Sequence, residues 1–171
     1  PMDISIITIL DALSHSFESI WNKNANPTST KYAISAICLI LENCKQLKKN
    51  PDDVNIRNNL LKASLTAGLA FSNTTTAAAH SISYPLTIRF GMPHGIASSI
   101  SLIPLLEING SYIQEPLRNI CSSLNLSYNK LIEEIRKIPI GIIPFTLTEW
   151  GIKECDLPEL VNESFTKGRM D

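Results

Sequence analysis

The feature that most constrains the fold is a helical spacing of apolar residues that recurs along most of the chain. Leu13, Phe17 and Ile20 follow one another at intervals of four and three residues, which is the spacing of one helix face. Asn-Pro pairs at 26–27 and 50–51 separate successive segments of this kind, because a residue before proline disfavours the helical conformation. No run of alternating β-branched residues is long enough for a sheet. The sequence therefore predicts an all-α, multi-helix bundle of eight or nine helices.

Prolines and capping residues predict where several of these helices begin and end. Thr28 or Ser29 is the expected N-cap of the second helix. A later helix containing AAAHSIS is expected to end near Tyr84-Pro85, since proline lacks the N–H that a helix interior requires. Pro93 fits the first turn of a further helix that runs through ASSISLIPLLEI. These boundaries leave PLTIRFGM as a loop between two histidine-bearing segments.

The composition narrows the class of protein that this pattern can build. A chain of 171 residues with 44% hydrophobic and 18% charged residues has the size and composition of one globular domain. The formal net charge is −1 without a basic stripe, which argues against nucleic acid or an anionic membrane as a partner. The four cysteines have no paired spacing, and no apolar run reaches the roughly 18 residues of a membrane span. We therefore expect a soluble, cytoplasmic protein with reduced cysteines.

The three histidines of the chain are candidates for a single metal site. Asp11 and His15 are four residues apart, so a helix places both side chains on one face. His80 belongs to a different predicted helix, and His94 lies in a Pro-His-Gly turn. One carboxylate oxygen and three imidazole nitrogens form a ligand set suited to Fe(II) or Zn(II). Each residue alone also fits an ordinary hydrogen bond or a core histidine, so the metal site is a hypothesis that depends on their convergence.

Several other chemistries lack their sequence signatures in this chain. It contains no HExxH, no adjacent His-Asp pair and no GxSxG, which argues against zinc metalloproteases, His-Asp phosphohydrolases and nucleophile-elbow hydrolases. It also contains no GxGxxG and no Walker P-loop, so it brings no phosphate cradle of its own. A metal site remains as the most specific chemical interpretation.

Four separated motifs resemble those of the iron-containing (group III) alcohol dehydrogenases. They are DALSH at 11–15, AGLAFSN at 67–73, AAAHSISYPL at 77–86 and GMPHGIA at 91–97. The resemblance continues to the terminal GRMD and implies the helical, dehydroquinate synthase-like C-terminal domain of that family. It also implies a metal held by four residues, namely Asp11, His15, His80 and His94.

The same resemblance implies what such a site does. It indicates an NAD(P)-dependent alcohol dehydrogenase or aldehyde reductase, in which the metal polarises the oxygen of a small alcohol or aldehyde for hydride transfer. The segments SIWNKNANP and HSISYPLT look most like the phosphonoacetaldehyde reductases. Three further residues then have implied roles: Phe71 near the nicotinamide, Tyr84 at the position of a proton-relay histidine, and Arg89 on an anionic substrate group. Core packing for Phe71 and Tyr84, and a solvated loop for Arg89, are the plainer alternatives.

The resemblance also implies that NAD(P) binds mainly to an N-terminal α/β domain that precedes the helical domain in the family. We expect residues 1–171 to be a single helical metal-binding domain without that α/β domain. The intact parent would be a metal-dependent oxidoreductase and a homo-oligomer, whereas the isolated chain would be inactive. The alternative is a non-catalytic helical oligomerisation or interaction module, left after loss of the nucleotide-binding domain and exposing an apolar surface.

Overall fold

Residues 1–165 are described by the computed structural model, and every regular element among them is helical, as predicted. The α-helices are α1 (Met2–Trp21), α2 (Pro27–Lys49), α3 (Val54–Phe71), α4 (Ala78–Phe90), α5 (His94–Ala97), α6 (Leu102–Asn109), α7 (Gln114–Leu124), α8 (Tyr128–Lys137) and α9 (Leu157–Ser164). The GRMD segment lies outside the described residues. Within residues 1–165 no single helix is both long and apolar enough to cross a membrane; one pair, His94–Asn109 with Gln114–Leu124, passes only when combined, and it is bent by 116°.

Helix α1 is the central element, because it packs against α2, α3, α4 and α5. Its apolar residues are fully buried at Leu13 and Phe17 and belong to a large core shared with α2, α3, α6, α7 and α8. Ile7 of the same helix packs against a smaller core formed mainly by α4, α5 and α9. Asp11 and His15 follow Ile7 at intervals of four residues and so continue the same helix face. Asp11 and His15 are therefore placed next to α4 and α5.

The second helix begins earlier than the sequence predicts. Asn26 is its N-cap, and the Asn26 Oδ1 atom accepts hydrogen bonds from the backbone N–H groups of Thr28 (3.1 Å) and Ser29 (3.0 Å). The backbone N–H of Asn26 in turn donates to Ser29 Oγ at 3.0 Å, which completes a capping box. The prediction of Thr28 or Ser29 as the cap was wrong, because Pro27 occupies the first helical position and the cap must precede it.

This cap gives a stability prediction. Replacing Asn26 with alanine is expected to lower the free energy of unfolding by about 1 kcal/mol, since two N–H groups lose their acceptor. Thr28→Ala is the matched control, because Thr28 is exposed and only its backbone takes part in the cap. Urea unfolding followed by circular dichroism measures both variants. Equal losses in the two variants would contradict the assignment of the cap.

Helix α4 continues past its predicted end. Pro85 lies inside the helix, which ends only at Phe90, with Gly91 following in the left-handed conformation (φ 64°). Proline removes one backbone hydrogen bond, but Leu86 beside it is buried in the smaller core, so tertiary packing outweighs the local cost. The expected loop PLTIRFGM is thus mostly helical, and Arg89 belongs to the last turn of α4.

The single helix predicted after Pro93 is instead two helices. Pro93 is the N-cap of the short α5, and α6 begins separately at Leu102. Pro104 accounts for the restart, because proline fits a first helical turn, where N–H groups have no helical acceptor. The four residues between α5 and α6 leave Ser98 at the end of α5, beside α1.

Candidate metal centre

Three helices bring together four side chains, which we call the Asp11 cluster: Asp11 and His15 from α1, His80 from α4 and His94 from α5. Asp11 Oδ1 lies 3.6 Å from His80 Nε2 and 3.6 Å from His94 Nε2, and Asp11 Oδ2 lies 3.5 Å from His15 Nε2. These distances are too long for hydrogen bonds. Ligand atoms about 2.1 Å from a tetrahedral ion lie about 3.4 Å apart, so each of the three carboxylate–imidazole distances fits a shared cation better than direct bonding. Asp11, His15 and His80 offer ligand atoms that all lie within 4.8 Å of one another.

The exposure of the side chains falls steadily across the cluster and its neighbour Glu18. The exposed fraction is 45% for His94, 29% for Asp11, 16% for His15, 3% for His80 and 0% for Glu18. The site is therefore closed at the Glu18 end and open at the His94 end.

Glu18 of α1 holds His80 from the closed end. The backbone N–H of His80 donates to Glu18 Oε1 at 3.1 Å, and the imidazole Nδ1 lies 2.6 Å from Glu18 Oε2. His80 is in the first turn of α4, where a backbone N–H has no acceptor within the helix. Sequence reasoning missed Glu18, although it lies seven residues after Asp11, on the same helix face. That spacing is the signal that could have found it.

A serine pair supports the carboxylate of Asp11. Ser98 Oγ donates to Asp11 Oδ1 at 2.9 Å, and the carbonyl of Ser98 accepts a hydrogen bond from Ser14 Oγ, also at 2.9 Å. Both serines are fully buried. These bonds tie the end of α5 to α1 and orient the carboxylate towards the imidazoles.

Close backbone contact between α5 and α1 places His94 beside Asp11. A Cβ atom at Gly95 would lie 2.1 Å from the carbonyl oxygen of Ile7, a distance that no side chain tolerates. Ile7 is one helical turn before Asp11. The glycine of the Pro-His-Gly tripeptide is therefore needed for close packing against the turn that carries the central carboxylate.

Aromatic stacking fixes the planes of two imidazoles. The ring of Phe71, the last residue of α3, stacks on His15 with a centroid distance of 4.1 Å and an interplanar angle of 16°. His15 stacks in turn on His80 at 4.2 Å. The structure thus brings Phe71 to the cluster, where it contacts a histidine; its role near a nicotinamide stays a prediction.

Tyr84 and Arg89 lie further along α4. Tyr84 is half-buried and one helical turn beyond His80, so it lies on the same helix face; its proton-relay role stays a prediction. Arg89 is nine residues beyond His80, about 13 Å along the helix axis. Its guanidinium forms ion pairs with Glu159 (2.9 Å) and Glu163 (3.3 Å) of α9. The structure does not bring Arg89 to the cluster, and two carboxylates already contact its guanidinium.

Burial and charge act in opposite directions on the ionisation of the cluster. Burial favours the neutral form of Asp11, but the nearby imidazoles of His15 and His80 and the hydrogen bond from Ser98 Oγ hold its pKa far below the usual range. Burial likewise disfavours a charged His80, yet the carboxylates of Asp11 and Glu18 raise its pKa to about 9. Burial lowers the pKa of His94, and together with repulsion from His80 and His15 it exceeds the attraction of Asp11. The centre thus combines an ionised carboxylate with imidazoles of unequal basicity.

Curated relatives are similar to this chain over part or nearly all of its length. The chain is 30% identical over 178 residues to the 1,3-propanediol dehydrogenase of Citrobacter freundii, and the aligned region covers 98% of this chain and 46% of that protein. It is 37% identical over 101 residues to the phosphonoacetaldehyde reductase of Streptomyces viridochromogenes, which covers 59% of this chain and 26% of that protein. The chain spans about half the length of the first of these relatives.

A solved structure and a family model agree with these sequence similarities. The sulfoacetaldehyde reductase from Bifidobacterium kashiwanohense, solved in complex with NAD+, superposes with a TM-score of 0.87 at 26% identity, over 99% of this chain and 46% of that one. The sequence model for the C-terminal part of the Fe-containing alcohol dehydrogenase family matches residues 5–170. The resemblance inferred from the four motifs is confirmed by this match. The chain belongs to the Fe-containing alcohol dehydrogenase family and corresponds to its C-terminal part.

Proposed function

We propose that this chain is the metal-binding domain of an NAD(P)-dependent alcohol dehydrogenase or aldehyde reductase. The Asp11 cluster would hold Fe(II) or, alternatively, Zn(II). The observation that carries the proposal is the approach of three imidazole Nε2 atoms to the carboxylate of Asp11 within 3.6 Å. A mixed set of nitrogen and carboxylate ligands favours these two ions over calcium or magnesium.

An unsatisfied atom in the cluster supports the presence of a cation. His80 Nε2 is buried and has no hydrogen-bond partner, although it points towards Asp11. Leaving such an atom unpaired costs about 1–3 kcal/mol, which a bound ion would offset. When bound, a divalent ion would act as a Lewis acid towards the oxygen of the substrate.

The residues of this chain would bind the ion and shape one side of the reaction site. His94 and Asp11 form the open edge, so a substrate oxygen would approach there. Phe71 covers His15 and would present its ring edge beside the nicotinamide, while Tyr84 would serve in proton transfer. NAD(P) would bind mainly to an α/β domain outside this chain, so we expect the isolated chain to be inactive.

The substrate class that we propose is a small aldehyde or the corresponding alcohol, with phosphonoacetaldehyde as the specific candidate. Relatives named phosphonoacetaldehyde reductase and sulfoacetaldehyde reductase support an aldehyde that carries an anionic group. Arg89, the residue expected to bind that group, is paired with Glu159 and Glu163. Recognition of the anion by Arg89 would therefore require exchange of these partners.

An interaction module is the second candidate function, and one surface favours it. Leu61, Leu65 and Leu69 lie four residues apart on α3 and are 70%, 65% and 42% exposed. Such a stripe is typical of a face that packs against another chain or domain. A module of this kind needs no metal, so metal content separates the two candidates.

Metal loading of the chain tests the proposed function. After anaerobic incubation with Fe(II) or Zn(II) and removal of unbound metal, we expect close to one ion per chain by mass spectrometry. Cys155→Ser is the matched control, because it removes an exposed thiol that could bind metal nonspecifically, and it should leave the content unchanged. A chain that retains neither ion would contradict the metal centre and favour the interaction module.

A further inference from the structure

Glu18 carries a buried carboxylate that contacts a single residue, His80. Its side chain is 0% exposed and lies in the last turn of α1, next to the buried Phe17. Burying a carboxylate is costly unless it is paired and hydrogen-bonded. Both of its oxygens contact His80, one at the backbone N–H (3.1 Å) and the other at the imidazole Nδ1 (2.6 Å). The two contacts together hold both the backbone and the ring of His80.

The chemistry of these contacts fixes which imidazole nitrogen can bind a metal. An ionised carboxylate only accepts hydrogen bonds, so the Nδ1 atom beside it must carry a hydrogen. A metal ligand must be the unprotonated nitrogen of a neutral imidazole. The lone pair therefore belongs to Nε2, which is the atom 3.6 Å from Asp11 Oδ1 and without a hydrogen-bond partner.

We propose that Glu18 is a positioning residue, which fixes the tautomer and the ring orientation of His80 so that Nε2 faces the metal. The inference rests on the proposed metal centre and adds a residue that does not contact the ion. Hydrogen-bonding partners of ligating histidines generally have this effect, and their loss weakens metal binding by roughly 10- to 100-fold. Glu18 also accepts a backbone hydrogen bond from the first turn of α4. The same side chain therefore both caps this helix and holds a proposed metal ligand.

Glu18→Gln separates positioning from packing, because glutamine has nearly the same shape but only one accepting end. If the amide oxygen accepts the backbone N–H of His80, the NH₂ group faces Nδ1 and forces the ring hydrogen onto Nε2. If the amide is reversed, its NH₂ group faces the backbone N–H, and two donors oppose each other. In the first arrangement the fold is preserved while the wrong nitrogen is offered to the metal.

The experiment measures zinc affinity by competition with a chelator, using Zn(II) alone as the probe. We expect Glu18→Gln to bind zinc roughly 10- to 100-fold more weakly than the wild-type chain, with unchanged helical content by circular dichroism. Glu42→Gln is the matched control, since Glu42 is exposed on α2 and the same chemical change there should leave the affinity unaltered.

A second readout reports the tautomer directly. With only three histidines in the chain, ¹⁵N-histidine labelling allows each ring of the zinc-loaded protein to be assigned by NMR. We expect a protonated, slowly exchanging Nδ1 and a zinc-bound Nε2 for His80 in the wild-type chain. A role in packing alone would change stability without changing these resonances.

Each outcome decides a different point. Equal zinc affinity of Glu18→Gln and wild type would overturn the positioning role, as would a His80 ring bound through Nδ1. A wild-type chain that binds no zinc would overturn the metal centre itself. If Glu18→Gln loses helical content, Glu18→Asp replaces it, because the shorter carboxylate keeps the charge but withdraws from Nδ1; wild-type affinity in that variant would overturn the role.

Discussion

Replacing Asp11 with asparagine is expected to abolish metal retention while leaving the helical fold intact. The carboxylate of Asp11 lies within 3.6 Å of all three imidazole Nε2 atoms, so it is the centre of the proposed ligand set. Asparagine keeps the shape and can still accept the hydrogen bond from Ser98 Oγ. It removes the negative charge that attracts a divalent ion. Loss of a direct ligand should exceed the roughly 10- to 100-fold effect of losing an indirect one.

Metal content and affinity of the Asp11→Asn chain are compared with those of Asp3→Asn. Asp3 is an exposed residue in the first turn of the same helix, so this control makes the same change in charge without touching the cluster. Wild-type metal content in Asp11→Asn would show that the ion, if present, is bound elsewhere.

Replacing Gly95 with alanine is expected to destabilise the protein and to displace His94. The added Cβ would lie 2.1 Å from the carbonyl oxygen of Ile7, so α5 and α1 would have to separate. Overpacking of this kind costs typically 1–3 kcal/mol. His94 directly precedes Gly95, so the same shift moves its imidazole away from Asp11. We therefore expect weaker metal binding together with the lower stability.

Gly68→Ala is the matched control for this prediction. Gly68 lies inside α3, and a Cβ there would meet no atom within 4 Å. Alanine is the better helix former by roughly 0.5–1 kcal/mol, so this variant should gain stability. Urea unfolding and metal content measure both variants. A Gly95→Ala chain as stable as Gly68→Ala would contradict the close approach of the two helices.

The helical fold could be predicted from local periodicity, but not all of its boundaries. Intervals of three and four residues in α1 are a local property, so they predict that helix directly. The end of α4 is different, because Pro85 forbids a backbone hydrogen bond locally while Leu86 beside it is buried by residues distant in sequence. The hydrogen bond lost at Pro85 can be predicted from the sequence. The packing of Leu86 that outweighs this loss cannot be predicted from local sequence.

The site was predictable to different degrees for the same reason. Asp11 and His15 share a face of one helix, so their proximity follows from a spacing of four. The approach of His80 and His94 depends on how α4 and α5 pack against α1, so the residue types made it only a hypothesis, to which the family resemblance added support. Glu18 was missed because a glutamate is almost always a surface residue, and its burial requires His80 from another helix.

The exposure of the side chains makes the two ends of the cluster different. Water reaches the His94 edge, whereas Glu18 and His80 at the opposite end are almost completely dry. Charge interactions weaken in contact with water and strengthen away from it, so we expect the Glu18–His80 pair to be the more strongly held part of the centre and the His94 edge to be the part that exchanges ligands. An ion or a chelator that enters from the open side would therefore meet His94 first and His80 last.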